Sequence, residues 1–250
     1  RLKIDRDWVL NKNNFNAYGE IIDTSDVDTL YRNIYDPSTF TGVIFKESLE
    51  KYGAIVKTIS KKKTSNKSYK KISNHLSKPL IHSATNLMNE SDNLTAELFV
   101  KSIGALDTLP GTWKVGLDSV KSFLAKEVLI DTSNIRLADA SGVSRYNLTS
   151  AAQLNSLLKW MYNSLYKDDF ISTLPGGGWK NSTLEKRLIN EGDLVRAKTG
   201  GLSGVRNLAG YIKSKKYGDV AFSILMNGYT DYSSRYARVH DQIVKSIIYD

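Results

Sequence analysis

Two short stretches bring together residue types suited to acyl transfer. Ser91-Asp92-Asn93 offers a hydroxyl and an amide two positions apart, and Lys198-Thr199-Gly200 offers a cation, a hydroxyl and a residue without a side chain. Breaking an acyl bond in a peptide requires a nucleophile, a proton shuttle, an anchor for a terminal carboxylate and donors for an oxyanion. A serine beside a lysine can relay protons, so Ser91 could hand one to a departing amine while Asn93 donates to the peptide carbonyl. Lys198 supplies positive charge and Thr199 a hydroxyl for a substrate carboxylate. Gly200 and Gly201 would leave a strand edge open to an extended peptide. Either tripeptide alone is common by chance, but here each occurs once, in this order, with the polar segment Asp139–Asn147 between them.

Simpler roles compete for the same residues. Ser91 could merely cap the helix that follows it, and Lys198 could be an exposed strand lysine. Ser141 and Ser144 suit local backbone bonding in a loop better than catalysis. The chain has no cysteine, which removes thiol nucleophiles, disulfides and cysteine-held metals. His75, His82 and His240 have no ligand spacing, so no metal or cofactor is expected, and surface or hydrogen-bonded positions suit them. Trp8, Trp113, Trp160 and Trp179 read as packing residues, with Trp179, after a glycine run, a candidate for bordering a cleft.

The elements that must position these groups follow from periodicity and punctuation. Leu2 to Leu10 alternates like a strand, with Asn11–Asn14 as a turn. Pro37 can open a helix that Gly53 stops, and Ala54-Ile55-Val56 then reads as a short strand. Helical spacing recurs over Leu80–Asn89, after Asp92, over Val115–Glu127 and within Leu148–Tyr166. Pro175 to Gly178 is a loop. Leu194–Lys198, Val205–Ile212 and Val220–Met226 are strands, and Tyr236–Ile248 is a closing helix. Helices, then three adjacent strands, then a helix predict an α/β (α+β) fold with an antiparallel sheet covered by helices. Two domains are expected, 1–78 and 79–250.

The 250 residues carry a net charge of +9. Seven of the lysines lie between Lys57 and Lys71 with no acid among them, and without those seven the net charge falls to +2. The basicity is therefore one local tract and not a face suited to nucleic acid. A solvated loop is its plain reading, and contact with an anionic envelope polymer or lipid is the sharper one. No apolar run is long enough to cross a bilayer. Arg1 to Asp7 opens in mixed charge without the pattern of a secretory signal, as expected of a mature or truncated product.

Three extended segments make the pattern specific. Asn89-Glu90-Ser91-Asp92-Asn93-Leu94-Thr95-Ala96-Glu97-Leu98, Asp139 to Asn147, and Ala197-Lys198-Thr199-Gly200-Gly201-Leu202-Ser203-Gly204-Val205 resemble, in order, three motif segments of the class C low-molecular-mass penicillin-binding proteins. The resemblance covers at least residues 79–228. It implies the penicillin-recognising serine transpeptidase/β-lactamase-like fold, with extra domains inserted after the first motif. Residues 1–78 would then be a remnant of the inserted domain and the return segment. It also implies D-alanyl-D-alanine carboxypeptidase or endopeptidase activity on peptidoglycan stem peptides, periplasmic or otherwise extracytoplasmic, without a metal. Ser91, Asn93 and Lys198 would be catalytic, and Thr199, Gly200 and Gly201 would bind substrate. β-Lactams, and the chain's own N-terminal fragment, would be partners.

The resemblance also has gaps. The family's first motif, Ser-x-x-Lys, carries the acylated serine and its lysine base. Five such pairs occur here: Ser48/Lys51, Ser60/Lys63, Ser68/Lys71, Ser156/Lys159 and Ser164/Lys167. None opens a helix in the expected place, so the nucleophile segment is expected to be absent and the chain alone inactive. Gly201 stands where the family usually has a hydroxyl residue. Ala140 stands where glycine is usual, which would strain the loop if a positive φ were required. Two rival readings share the fold: a non-catalytic peptidoglycan- or envelope-binding homologue, and a β-lactamase, which the Asp139–Asn147 segment disfavours.

Overall fold

A computed structural model describes residues 2–22, 24, 30–62 and 70–250. The chain forms two compact units, Arg1–Asn74 and His75–Asp250.

In the first unit, β1 (Lys3–Arg6) pairs antiparallel with β2 (Phe15–Tyr18). The helix α1 (Pro37–Lys51) starts as its sequence requires: Pro37 sits at the first turn, and the Asp36 carboxylate accepts from Thr39 N–H at 3.2 Å. Gly53, at φ +87°, ends it. Ala54-Ile55-Val56 is not a strand: it has no pairing partner among the described residues, and Ile55 is 90% exposed. A β-prone tripeptide without a partner strand has no ladder to join, and Ala54 N–H donates instead to the Leu49 carbonyl at 3.1 Å. Part of the lysine tract, residues 63–69, lies outside the described residues, as do Lys63 and Ser68 of the Ser-x-x-Lys pairs.

The second unit is built on a three-stranded antiparallel sheet, β3 (Val195–Leu202), β4 (Val205–Ser214) and β5 (Gly218–Asn227), in the order β3-β4-β5. Its helices are α2 (Leu80–Glu90), α3 (Asn93–Asp107), α4 (Trp113–Lys126), α5 (Ala151–Tyr162), the short α6 (Lys167–Thr173), and α7 (Ser233–Tyr249). Register assigns the two faces of the sheet. Val195, Ala197, Leu208, Ile212 and Phe222 share one face and form the main core with Val244 and Ile248 of α7. Alternation sends Lys198, Ala209, Tyr211 and Ser223 to the other face. There Tyr211 packs with Leu158 of α5, Leu174 and Met88 of α2. The Tyr211 hydroxyl donates to the Leu158 carbonyl at 2.8 Å, and Ser223 Oγ donates to the Ala151 carbonyl at 2.7 Å, tying α5 down. The helical layer that carries Ser91 therefore lies on the face that carries Lys198.

β3 does not stop at its glycines. It runs through Gly200 and Gly201, paired with Asn207 and Arg206 across β4. The partner strand supplies the backbone bonds that glycine's low β propensity argues against. His240 is neither exposed nor hydrogen-bonded. It is fully buried on α7, and neither ring nitrogen has a partner among the described residues. Standing three residues after Ala237 and four before Val244, it lies on the helix face that enters the core.

Candidate active site

Ser91 terminates α2 in the left-handed conformation, φ 61° and ψ 48°. Asp92, not Ser91, caps α3: its carboxylate accepts from Leu94 N–H at 3.0 Å and from the Thr95 hydroxyl. The short acidic side chain takes the cap and leaves the serine hydroxyl free for another partner. Asn93 opens α3 and is exposed. Met88 packs the last turn of α2 under the sheet, and the Asn89 carbonyl accepts from Thr183 N–H at 3.0 Å. The turn that presents Ser91 is thus held on two sides.

Lys198 meets Ser91 across this gap. Its Nζ donates to Ser91 Oγ at 2.7 Å and to the Thr199 carbonyl at 2.9 Å. Among the described residues no carboxylate lies within 4.0 Å of it, so the ammonium has no counter-ion. Burial pulls its pKa down to about 8. A half-buried cation without an anion is poised to receive one.

Beside Lys198 lies a cleft of about 590 Å³ whose lining includes Lys198, Thr199, Gly200 and Asn207 on the sheet and Ser144, Arg145 and Asn147 on the facing loop. Ser91, Asn93 and Gly201 lie outside that lining. β3 is an edge strand: near its start Ala197 N–H donates to the Pro175 carbonyl at 3.1 Å and Arg196 bridges Gly176, whereas the strand beyond Ala197 has no neighbour on that side among the described residues. A Cβ at Gly200 would meet only the Asn207 side chain, at an ordinary 3.5 Å or more, so the sheet itself does not require glycine there.

The facing loop, Asp139–Asn147, holds its shape through Asp139 and Asn147. The Asp139 carboxylate accepts from Gly142 N–H at 2.8 Å, Ser144 N–H at 2.6 Å and Asn147 Nδ2 at 2.6 Å. Asn147 Oδ1 accepts from Ala138 N–H at 2.6 Å. Ser144 serves the loop too, its Oγ accepting from Tyr146 N–H at 3.2 Å. The left-handed residue is Gly142, φ 79°, and Ala140 needs no positive φ. Sequence reasoning passed over two long-range ties, Glu97 to the loop and Arg145 to Ser203. Trp179 does not border the cleft. Its Nε1 donates to Asp193 at 3.1 Å and its ring lies 4.0 Å from the Arg196 guanidinium. Of the Ser-x-x-Lys serines in α5 and just after it, Ser156 Oγ donates to the Ala152 carbonyl at 3.1 Å and Ser164 Oγ to the Met161 carbonyl at 2.8 Å.

The sequence profile of the family described as D-Ala-D-Ala carboxypeptidase 3 (S13) matches residues 4–246. The chain is 33% identical over 212 residues to a D-alanyl-D-alanine carboxypeptidase of Actinomadura sp. strain R39, covering 81% of this chain and 39% of that protein. It is 33% identical over 163 residues to the D-alanyl-D-alanine carboxypeptidase DacB of Haemophilus influenzae, covering 64% of this chain and 34% of that protein. The chain thus spans well under half the length of these relatives. In structure it is similar to penicillin-binding protein 4 of Haemophilus influenzae in complex with a β-lactam, with a TM-score of 0.79 at 24% identity over 100% of this chain and 59% of that one. A penicillin G-acylated predatory endopeptidase of Bdellovibrio bacteriovorus shares the fold at a TM-score of 0.54 and 21% identity over 68% of this chain and 46% of that one.

Proposed function

The chain belongs to the D-Ala-D-Ala carboxypeptidase 3 (S13) family, and from that premise we propose that it forms the substrate-anchoring and proton-relay part of a serine DD-peptidase acting on peptidoglycan stem peptides. The observation that carries the reading is the 2.7 Å contact between Lys198 and Ser91, made by a cation with no counter-ion among the described residues. Lys198 draws the C-terminal carboxylate of a peptide laid along the free edge of β3, and the Thr199 hydroxyl supports it. Ser91, hydrogen-bonded to Lys198, returns a proton to the leaving amine, and Asn93 donates to the peptide carbonyl. Gly200 and Gly201 leave room for the peptide backbone. Such chemistry belongs outside the cytoplasmic membrane.

The 250 residues by themselves do not form the acyl-enzyme. An acylated serine needs an adjacent base, and Ser48, Ser156 and Ser164 have no hydrogen bond to their paired lysines among the described residues. Ser91 holds the relay position and Lys198 the anchor. The nucleophile comes from a Ser-x-x-Lys segment outside these residues, and its backbone N–H completes the oxyanion donors. Intact-mass spectrometry after incubation with a reactive penicillin tests this. No adduct is expected on the 250 residues alone. A stoichiometric adduct is expected on the product of the full reading frame, slowed by Lys198→Ala. An adduct on the 250 residues alone would place the nucleophile among their own serines. No adduct on the full product would favour a non-catalytic stem-peptide binder.

A further inference from the structure

Three hydrogen bonds converge on one carboxylate of α3. Glu97 Oε1 accepts from the backbone N–H of Ser141 at 2.9 Å. Glu97 Oε2 accepts from Trp113 Nε1 at 2.8 Å and, over a longer 3.4 Å, from the backbone N–H of Ala140. Trp113 is itself held, with Lys101 Nζ 4.0 Å from its ring centroid. Glu97 stands one turn beyond Asn93, so the residue that opens α3 and the residue that grips the loop lie on one side of the helix. At its far end the same loop reaches the sheet, where Arg145 Nη2 donates to the Ser203 carbonyl at 2.7 Å in the turn between β3 and β4. Asp139 and Asn147 stiffen the span between these two attachments. The loop is a strut from the helix that begins at Asn93 to the hairpin that carries Lys198.

We infer that Glu97 is a positioning residue: its ionised carboxylate fixes the Asp139–Asn147 loop to α3 and, through Arg145 and Ser203, sets the separation between the wall bearing Asn93 and the wall bearing Lys198. The role rests on the peptidase reading of the cleft. The loop does not need Glu97 to close, because Asp139 and Asn147 close it from within. Glu97 supplies only its attachment. Partial burial pushes the Glu97 carboxyl up, but donation from Ser141, Ala140 and Trp113 outweighs this and leaves it below the usual range, so the anchor stays charged at neutral pH. Glutamine in its place would turn an amide N–H₂ toward one set of these donors. Aspartate would keep the charge on a side chain one methylene shorter.

Two measurements decide it. In the 250-residue chain, Glu97→Gln is expected to speed hydrogen exchange at the Ala140 and Ser141 amides by at least about tenfold, as local opening there no longer breaks a charge-assisted bond. In the product of the full reading frame, the same change is expected to slow acylation by a labelled penicillin by about 10- to 100-fold, the scale of a small misplacement of binding groups. The fraction finally labelled should stay at the wild-type level, and Glu97→Asp should recover part of the rate. A merely structural role would lower the labelled fraction and leave the rate of the folded molecules unchanged, and that result overturns the inference. So does unchanged exchange at Ser141 together with an unchanged rate. If Glu97→Gln does not fold, Glu97→Asp is read alone, with faster exchange and slower labelling required together. A wild-type full product that takes no label overturns the peptidase reading, and this role with it, whereas labelled wild type with an unaffected Glu97→Gln variant overturns this role only.

Discussion

At the scale of the residue, the anchoring role proposed for Lys198 depends on its charge. Its ammonium is drawn down to about 8 by burial. The sign of the consequence is fixed: below that value the side chain is a cation and attracts a carboxylate, and above it the side chain is neutral and does not. A peptide carboxylate in place would favour the charged form and raise the value in the complex, so the free protein is the state that reports it. The acylation rate of the full product at low concentrations of a carboxylate-bearing penicillin is therefore expected to fall as pH rises through about 8, tenfold per unit at the limit. Lys198→Arg, which stays charged in this range, should flatten that alkaline limb even if it lowers the rate throughout. A wild-type limb that persists unchanged in the arginine variant would assign the titration to another group.

At the scale of the element, the helix pair α3 and α4 sets where Asn93 and Glu97 stand. The two helices meet through glycine. A Cβ at Gly116 would lie 2.0 Å from the Val100 carbonyl oxygen, and one at Gly104 would lie 2.8 Å from the Thr112 carbonyl oxygen. Backbone atoms cannot swing aside as a side-chain tip can. Gly116→Ala should therefore part the helices and cost on the order of 1–3 kcal/mol or more, the usual range for overpacking. The shift in urea midpoint measures it, and a variant as stable as wild type would show that the contact yields. The helices themselves were legible because apolar residues recur at helical spacing and Pro37 and Asp92 mark starts. What sequence could not show was pairing. Ala54–Val56 has strand composition without a partner, β3 passes its glycines because β4 is beside it, and short α6 carries too few turns for a period to register. The site divides in the same way. Ser91 and Lys198 were legible as motif residues, and alternation on β3 explains why they face each other. Glu97 was visible only as part of a motif flank, since its hold on Ser141 joins residues 44 apart.

At the scale of the whole molecule, the packing that seats α7 against the sheet carries one buried group that cannot tolerate acid. His240 is fully buried, with no partner for either ring nitrogen among the described residues. Burial, first, and then the nearby Arg187 and Arg206 guanidiniums hold its pKa down to about 4, with the Asp241 carboxylate opposing them. Asp241 is already engaged, its Oδ1 accepting from Arg187 Nη2 at 2.7 Å. In the unfolded chain the imidazole returns to about 6.5. Above that pH both states are neutral and His240 contributes no pH dependence. Between about 6.5 and 4 the unfolded state binds the proton and the folded state does not, so stability falls as pH falls. The two values set the loss at about 2 kcal/mol between pH 7 and pH 5, before the carboxylates titrate strongly. Urea unfolding at those two pH values measures it. His240→Leu puts an apolar side chain of similar bulk at the site and removes the proton acceptor. That variant can be less stable or more stable than wild type at pH 7, since leucine also ends the unpaired burial of two nitrogens. The comparison that matters is the difference between the two pH values. Wild type should lose about 2 kcal/mol more than the leucine variant, because the substitution removes the proton site whose affinity the core lowers in this way. Equal losses in the two proteins would mean that the ring accepts a proton within the folded core, and that α7 gives it a partner or an opening to water.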